Sequence, residues 1–285
     1  VKQVRAEVLS IRKAGAYHSL TIVAPEIAEG ARPGQFIGVQ MPPDRDYVLR
    51  RFFSIHQAAR RGGWAGTLEI VFEATGPATR WLSSVRAHEF LEVVGPLGTG
   101  FSYPKTLVNC LLIGEGHAAA SLHFLAQELV ARGRRVDMII GADTLERVFK
   151  PIEAKRLAGS VSIRTADGTL GEQGEALDAL PDMAKSSGAE VLYAAAPSAT
   201  LARVADFCRQ ADLPALFSVE EPMACGVGLC GTCVVPVMRK DGSGPDLLRA
   251  CVEGPIFDPA RVVWDRWRTI EPTHASDQRS LKDQA

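Results

Sequence analysis

Three successive parts are predicted along this chain: a small antiparallel β barrel, an α/β domain built on a parallel sheet, and a compact C-terminal module rich in cysteine. Three observations predict them. Up to about residue 100, short strand-like runs are split by glycine turns. From Leu107 the pattern becomes apolar strand, glycine turn, helix, the alternation of a parallel sheet. After Glu220-Glu221 the periodicity gives way to a segment that holds Cys225, Cys230, Cys233 and Cys251. The expected boundaries are 1–101 for the barrel, 102–219 for the α/β domain, 220–262 for the cysteine module and 263–285 for a tail.

The expected barrel strands are Tyr17 to Val23, Gln35 to Gln40 and Thr67 to Phe72, with turns at Gly34, Gly62-Gly63, Gly66 and Gly76. Arg50-Arg51-Phe52-Phe53-Ser54 is placed at the end of a further strand. In the second part, the strand Leu107 to Ile113 runs into the turn Gly114-Glu115-Gly116 and a helix over Ser121 to Ala131. Strands at Val136 to Ile140, Val161 to Arg164 and Val191 to Ala194, a helix at Leu201 to Gln210 and a strand at Ala215 to Val219 complete it. The polar end from Glu271 to Ala285 reads as a loose tail. No internal repeat interrupts this order.

Composition narrows the function classes. The 285 residues are 46% apolar and 23% charged, a globular balance that accommodates about two domains of ordinary size. Lys and Arg number 32 against 33 acids, so the chain has no basic footprint for nucleic acid and no bulk charge for an anionic membrane. No run approaches the ~18 consecutive apolar residues of a membrane span. The opening Val1-Lys2-Gln3-Val4-Arg5 lacks the apolar core of a secretory signal, and the expectation is a soluble, cytoplasmic protein.

An unexported chain keeps its thiols reduced, so crowded cysteines point to metal ligation rather than disulfides. Cys225, Cys230 and Cys233, with Cys251 further on, have the C-x4-C-x2-C…C spacing of plant-type [2Fe-2S] centres. A loop wrapped around inorganic sulfide needs small residues and positive φ, and Gly226, Gly228 and Gly231 supply both. Their N–H groups can turn inward to the cluster sulfurs. Zinc is the competing reading; its structural sites usually pair cysteines in two short knuckles, whereas here three crowd together and one stands apart. Cys110 and Cys208 lie within apolar patterns and read as packing residues.

A one-electron centre works beside a group that converts electron pairs to single electrons, and flavin does so. Arg51 has the fork to clamp a pyrophosphate, Phe53 the face to lie against a flat ring, and Ser54 the hydroxyl to bond a ring nitrogen. Alone, such an Arg-Arg pair beside aromatics is more often a solvated face; the combination carries the argument.

That combination resembles the ferredoxin-reductase-like flavoproteins, and among them the electron-transfer subunits of two-subunit, NAD-linked bacterial dihydroorotate dehydrogenases. The resemblance spans about residues 5 to 260. It rests on Pro33-Gly34-Gln35-Phe36, Leu49-Arg50-Arg51-Phe52-Phe53-Ser54-Ile55, Gly76-Pro77-Ala78-Thr79, Gly95-Pro96-Leu97-Gly98-Thr99-Gly100-Phe101, the cysteine spacing and Cys251-Val252-Glu253-Gly254-Pro255-Ile256-Phe257. It implies FAD held by Arg51, Phe52, Phe53 and Ser54, by Val71-Phe72-Glu73, and by Ala78-Thr79 at the pyrophosphate. The cluster ligands would be the four cysteines, and the partner a catalytic flavoprotein subunit carrying FMN. Phe52 replaces the family's usual proline and is expected to be tolerated on an edge. Ala78 replaces a frequent glycine and would crowd the phosphate.

Two further departures concern NAD(H). The family's glycine-rich G-G-G-I-G-V-A-P turn is Gly114-Glu115-Gly116-His117-Ala118-Ala119-Ala120-Ser121 here, and Glu115 opposes a pyrophosphate unless it points away or binds ribose. The family's Y-A-C-G-P is Tyr193-Ala194-Ala195-Ala196-Pro197, which loses a thiol and adds a methyl. The expectation is an α/β domain that keeps its architecture and binds NAD(H) weakly or not at all. His117 is read as a polar cap, and His18, His56, His88, His123 and His274 form no catalytic or metal spacing.

The leading functional expectation is therefore a relay, an oxidoreductase electron-transfer subunit in pyrimidine biosynthesis without its own acid, base or nucleophile for a substrate. It would work in a hetero-oligomer with the catalytic subunit. The alternative is a stand-alone NAD(P)H-dependent FAD/[2Fe-2S] reductase feeding an oxygenase, hydrogenase or ferredoxin, which demands a working nucleotide pocket. A redox sensor or iron–sulfur scaffold is the third reading, distinguished by a flavin that no partner reduces.

Overall fold

In the computed structural model, which describes residues 1–42, 47–60 and 62–267, the alternating apolar residues of the first part close a barrel. Its strands are β1 (Lys2–Ala14), β2 (Tyr17–Val23), β3 (Phe36–Val39), β4 (Arg51–Ala59), β5 (Thr67–Glu73) and β6 (Phe90–Leu97), with short helices α1 (Pro25–Ala28) and α2 (Pro77–Leu82). They are joined in the order β1-β2-β5-β4-β3-β6, and β6 pairs back antiparallel to β1. Ala6, Val8, Leu20, Ile22, Ile37, Val39, Ile55, Leu68, Ile70 and Val93 point inward and fill the lumen, as period-2 alternation on closed strands requires.

The second part comprises β7 (Asn109–Glu115), α3 (Ala119–Ala131), β8 (Arg135–Ala142), α4 (Pro151–Leu157), β9 (Val161–Thr165), β10 (Glu172–Gln173), α5 (Leu180–Ser187), β11 (Val191–Ala195), α6 (Ser198–Gln210) and β12 (Ala215–Ser218). The strands run parallel in the order β10-β9-β8-β7-β11-β12. With helices packed against it the sheet is hidden, and β7 accordingly reads as an unbroken apolar run, fully buried from Cys110 to Ile113.

The third part is a hairpin of β13 (Val234–Met238) and β14 (Pro245–Arg249), followed by β15 (Ile256–Phe257). β15 pairs antiparallel with β12 and so extends the α/β sheet by one strand. Cys233, Val235, Ala250, Cys251 and Phe257 share one apolar core with Phe36 and Leu97 of the barrel and Leu192, Leu201 and Phe217 of the α/β domain. The cysteine module is thus built into both other parts.

The predicted barrel, parallel sheet and terminal module are all present, with local differences. β1 and β6 escaped the reading because β1 carries Lys2, Arg5, Glu7, Arg12 and Lys13 on a largely exposed strand. Arg51 opens β4 rather than ending a strand. The hairpin β13–β14 was hidden by the glycine and cysteine around it. Residues 263–267, at the start of the expected tail, are packed: Trp264 lies 6.0 Å from Phe217 and 5.3 Å from Trp267 between ring centres. The rest of the tail, 268–285, with His274, lies outside the described residues.

Candidate flavin and iron–sulfur site

The barrel wall opens where the flavin motif lies. The ladder between β4 and β5 extends only from Ala59↔Thr67 to Ile55↔Ile70. Beyond it, Arg51 to Ser54 pair with β3 alone and Val71 to Glu73 with β2 alone. Two strand segments therefore diverge with their facing backbone groups outside the ladder, and buried backbone groups of this kind require partners. All seven residues expected on these two segments line this gap.

The side chains around it are equipped unequally. Arg51 Nη1 donates to the Leu49 carbonyl at 3.1 Å and to the Arg50 carbonyl at 3.4 Å. Among the described residues neither Arg50 nor Arg51 meets a carboxylate, and Arg50 Nε is buried without a partner. Ser54 is exposed on a barrel strand, and Phe53 leans on Phe72 with ring centres 5.5 Å apart. The Glu73 carboxylate is taken by Arg147 in a bidentate pair at 2.7 and 3.0 Å, leaving its backbone facing the gap. Ala78 is buried against the barrel core. The Thr79 hydroxyl accepts from Gly76 N–H at 3.1 Å and fixes the turn before α2.

The four cysteines expected to hold the cluster are brought together by the loop before β13 and the turn after β14. The Cys225 sulfur accepts from the N–H groups of Leu229 at 3.3 Å and Cys230 at 3.4 Å, and the Cys251 sulfur from Gly228 N–H at 3.1 Å. The Thr232 hydroxyl donates to the Cys230 sulfur at 3.1 Å. Inward N–H groups stabilise thiolate and sulfide charge, which is the chemistry that an iron–sulfur cluster demands of its loop. Cys230 interacts with Cys225, and Cys251 with Cys233 and, less, with Cys225, so two neighbouring pairs are in mutual reach. Among the described residues no three such donors converge on a single point. Two pairs suit two irons, and the donor set fits the [2Fe-2S] group better than one zinc ion.

Gly226 and Gly228 adopt φ of +70° and +79°. A Cβ on Gly226 would run into the Phe52 ring, and one on Gly228 would lie 2.6 Å from Val252 Cγ2. Phe52 therefore joins the two candidate cofactor regions: half-buried, it faces Phe36 edge-on at 5.9 Å and covers the cysteine loop at Gly226. The expected edge position is true only of the missing β5 ladder, because the ring is enclosed by the module. The segment Gly95 to Phe101 has a second seam role: Thr99 N–H donates to the Gly254 carbonyl at 2.6 Å.

Arg249 and Glu253 were not singled out from the sequence. Arg249 Nη1 holds the Gly228 carbonyl at 2.8 Å, and its guanidinium is fastened to Glu253 through Nε at 3.1 Å. This strap ties the cluster loop to the turn that carries Cys251. The Arg-x-Cys-x-Glu spacing around Cys251 was its only signal in the sequence. Cys110 and Cys208, by contrast, are packing residues as expected; burial pushes their thiols up to about 11 and about 12.

The nicotinamide motifs sit at the carboxyl ends of β7 and β11. Glu115 Oε2 accepts a hydrogen bond from the Thr200 hydroxyl at 2.6 Å, so the carboxylate points toward the first turn of α6. Ala195 and Ala196 are both 1% exposed and belong to apolar cores. His117 is no cap: its Nε2 lies 3.1 Å from Glu220 Oε2. His56 is fixed between the Ala120 carbonyl at 2.5 Å and Lys150 at 3.3 Å, where burial lowers it to about 4.

The Glu220 carboxylate raises His117 to about 9 from an ordinary 6.5. Because the folded value lies above the unfolded one, the stabilisation is complete below pH 6.5 and is lost as pH rises through about 9. Both side chains are about half exposed, so water screens the pair and the effect on stability is small. An NMR titration of His117 is expected to give a midpoint well above 6.5, falling back in Glu220→Gln; a wild-type midpoint near 6.5 would remove the ion pair from the account.

Comparison with known proteins agrees with this geometry. Residues 220–263 match the family model for the iron–sulfur cluster binding domain of dihydroorotate dehydrogenase B. The chain is 32% identical over 242 residues to the dihydroorotate dehydrogenase B (NAD(+)) electron transfer subunit of Desulforamulus reducens, covering 85% of this chain and 90% of the relative. Its counterpart in Geobacillus kaustophilus is 32% identical over 248 residues, with 86% and 92% covered. Among solved structures, the NADH-dependent reduced ferredoxin-NADP oxidoreductase superposes with a TM-score of 0.79 at 25% identity, covering 92% of this chain and 91% of that one.

Proposed function

The chain belongs to the family of dihydroorotate dehydrogenase B electron transfer subunits, and on that premise we propose that it relays electrons between a catalytic partner subunit and NAD or another acceptor. The cofactors are a [2Fe-2S] cluster on Cys225, Cys230, Cys233 and Cys251 and an FAD in the gap between β4 and β5. In this reading the partner oxidises dihydroorotate to orotate at its own flavin, an FMN, in pyrimidine biosynthesis. Flavin exchanges electrons in pairs or singly, whereas the cluster passes them one at a time.

The chain's own residues bind and position. Arg51 clamps the FAD pyrophosphate with its fork, beside Ala78 and Thr79, and its lack of a carboxylate partner among the described residues supports that role. Ser54 donates its hydroxyl to the ring, Phe53 lies against it, and the backbone of Val71 to Glu73 supplies hydrogen bonds from the facing strand. Phe52 holds the cluster loop against this strand, and that contact is the observation that carries the proposal. The shared apolar core, the β15–β12 pairing and the Thr99–Gly254 hydrogen bond fix the module against the other parts alongside it.

Val227, Leu229 and Val252 leave an exposed apolar rim around the cluster loop, as a docking electron partner requires. The expected boundaries at 101/102, 219/220 and 262/263 belong to this reading, although β15 pairs with β12 across the second and the packed residues 263–267 carry the module past the third. Among the described residues no helix is long and apolar enough to cross a membrane, and a cytoplasmic setting is part of the proposal.

The test is reduction by the partner's substrate. The chain, assembled with an FMN-containing dihydroorotate dehydrogenase subunit, is mixed with dihydroorotate without oxygen. Bleaching of both the flavin and cluster bands is expected. Bands that respond to dithionite but not to dihydroorotate would overturn the assigned partner.

A further inference from the structure

In a doubly wound sheet the ligand crevice lies at the carboxyl ends of the two strands where the strand order reverses. Here these are β7 and β11, because the chain builds outward through β8, β9 and β10 on one side and β12 on the other. Glu115 ends β7, and Thr200 stands in the first turn of α6, just after β11. Their hydrogen bond of 2.6 Å therefore crosses the crevice. Rather than pointing away from the nucleotide path, the carboxylate is held over it.

Three further features bear on the same place. The start of a helix attracts negative charge, and the Glu115 carboxylate is held at the first turn of α6 by the Thr200 hydroxyl. His117, two residues on, is engaged by Glu220 at 3.1 Å rather than by Glu115, and ties the turn after β7 to the segment after β12. Gly114, which looks like a remnant of a phosphate turn, is explained by packing: a Cβ there would lie 2.7 Å from Ala119 Cα. No cationic side chain hydrogen-bonds Glu115 among the described residues.

We propose that the Glu115–Thr200 bridge closes this crevice to nicotinamide dinucleotides and makes Glu115 the residue that excludes NAD(H) as the electron acceptor. The inference rests on the reading of this chain as a flavin–cluster relay and specifies which acceptor that relay refuses. A dinucleotide brings two phosphate charges to a fixed carboxylate, and like charges at close range in a partly buried site repel strongly. The buried Ala195 and Ala196 play no part in the exclusion, since their methyls are packed in the core.

The holoprotein and its Glu115→Gly, Glu115→Gln and Thr200→Val variants are titrated with NADH without oxygen. Binding is read from nicotinamide fluorescence and reduction from the flavin band. Glu115→Gly is expected to bind NADH about 10- to 100-fold more tightly than wild type. Glu115→Gln, which removes the charge and keeps a hydrogen-bonding group, falls between them, and Thr200→Val frees the carboxylate for a smaller gain. Equal affinity in wild type and Glu115→Gly, whether tight or undetectable, overturns the proposal. The fluorescence readout needs no flavin, so it decides this inference even in a preparation lacking colour. Absence of the flavin and cluster bands, or their silence toward dithionite, would instead count against the relay itself.

Discussion

Cys230→Ser is expected to lose the [2Fe-2S] cluster while the protein stays folded and keeps its flavin. Cys230 is exposed, and the contacts of its sulfur are with Cys225 and the Thr232 hydroxyl, so a smaller oxygen in its place disturbs no packing. Serine is a poor substitute for a thiolate toward iron, and a cluster held on three thiolates sheds the iron whose pair is broken. Cys233 and Cys251 behave differently: both are buried in the core shared by all three parts, and their replacement is expected to lower the melting temperature as well. The check is iron content and visible spectrum, beside a thermal melt. Retention of a wild-type cluster, or loss of FAD together with the cluster in Cys230→Ser, would contradict the assignment.

Arg51→Ala is expected to weaken FAD binding about 10- to 150-fold, the equivalent of one lost charge-assisted contact at about 1.5–3 kcal/mol. The proposed clamp uses the planar fork, so Arg51→Lys should recover only part of the affinity, because an ammonium keeps the charge without the paired donors. Glu73→Gln is the contrasting control: it breaks the pair with Arg147 across the barrel and α/β domain, yet leaves the backbone at the gap. Fluorescence titration of the apoprotein with FAD distinguishes them. An unchanged affinity in Arg51→Ala would move the pyrophosphate elsewhere.

Much of this was legible in the amino-acid order because it is local. The strands β2, β5, β8 and β11 follow runs of alternating or continuous apolar residues, and the cysteine spacing encodes its loop within a few residues. What escaped depends on contacts distant in sequence. That Phe52 lies on Gly226, or that Glu115 reaches Thr200, appears only once strands and helices are placed. The gap between β4 and β5 likewise arises from a ladder that stops, which no periodicity records. The Arg249–Glu253 strap was overlooked because charged residues next to cysteines look like ordinary surface. Ala78 and Ala196 each join an apolar core, which the residues beside them in sequence do not reveal.

The most direct test of the account is a cofactor inventory of the chain purified without oxygen: iron, acid-labile sulfide, zinc and flavin, with electron paramagnetic resonance after dithionite. The account predicts two irons, two sulfides and one FAD per chain, and a paramagnetic signal from the singly reduced cluster. A colourless protein that holds one zinc and no flavin would contradict it.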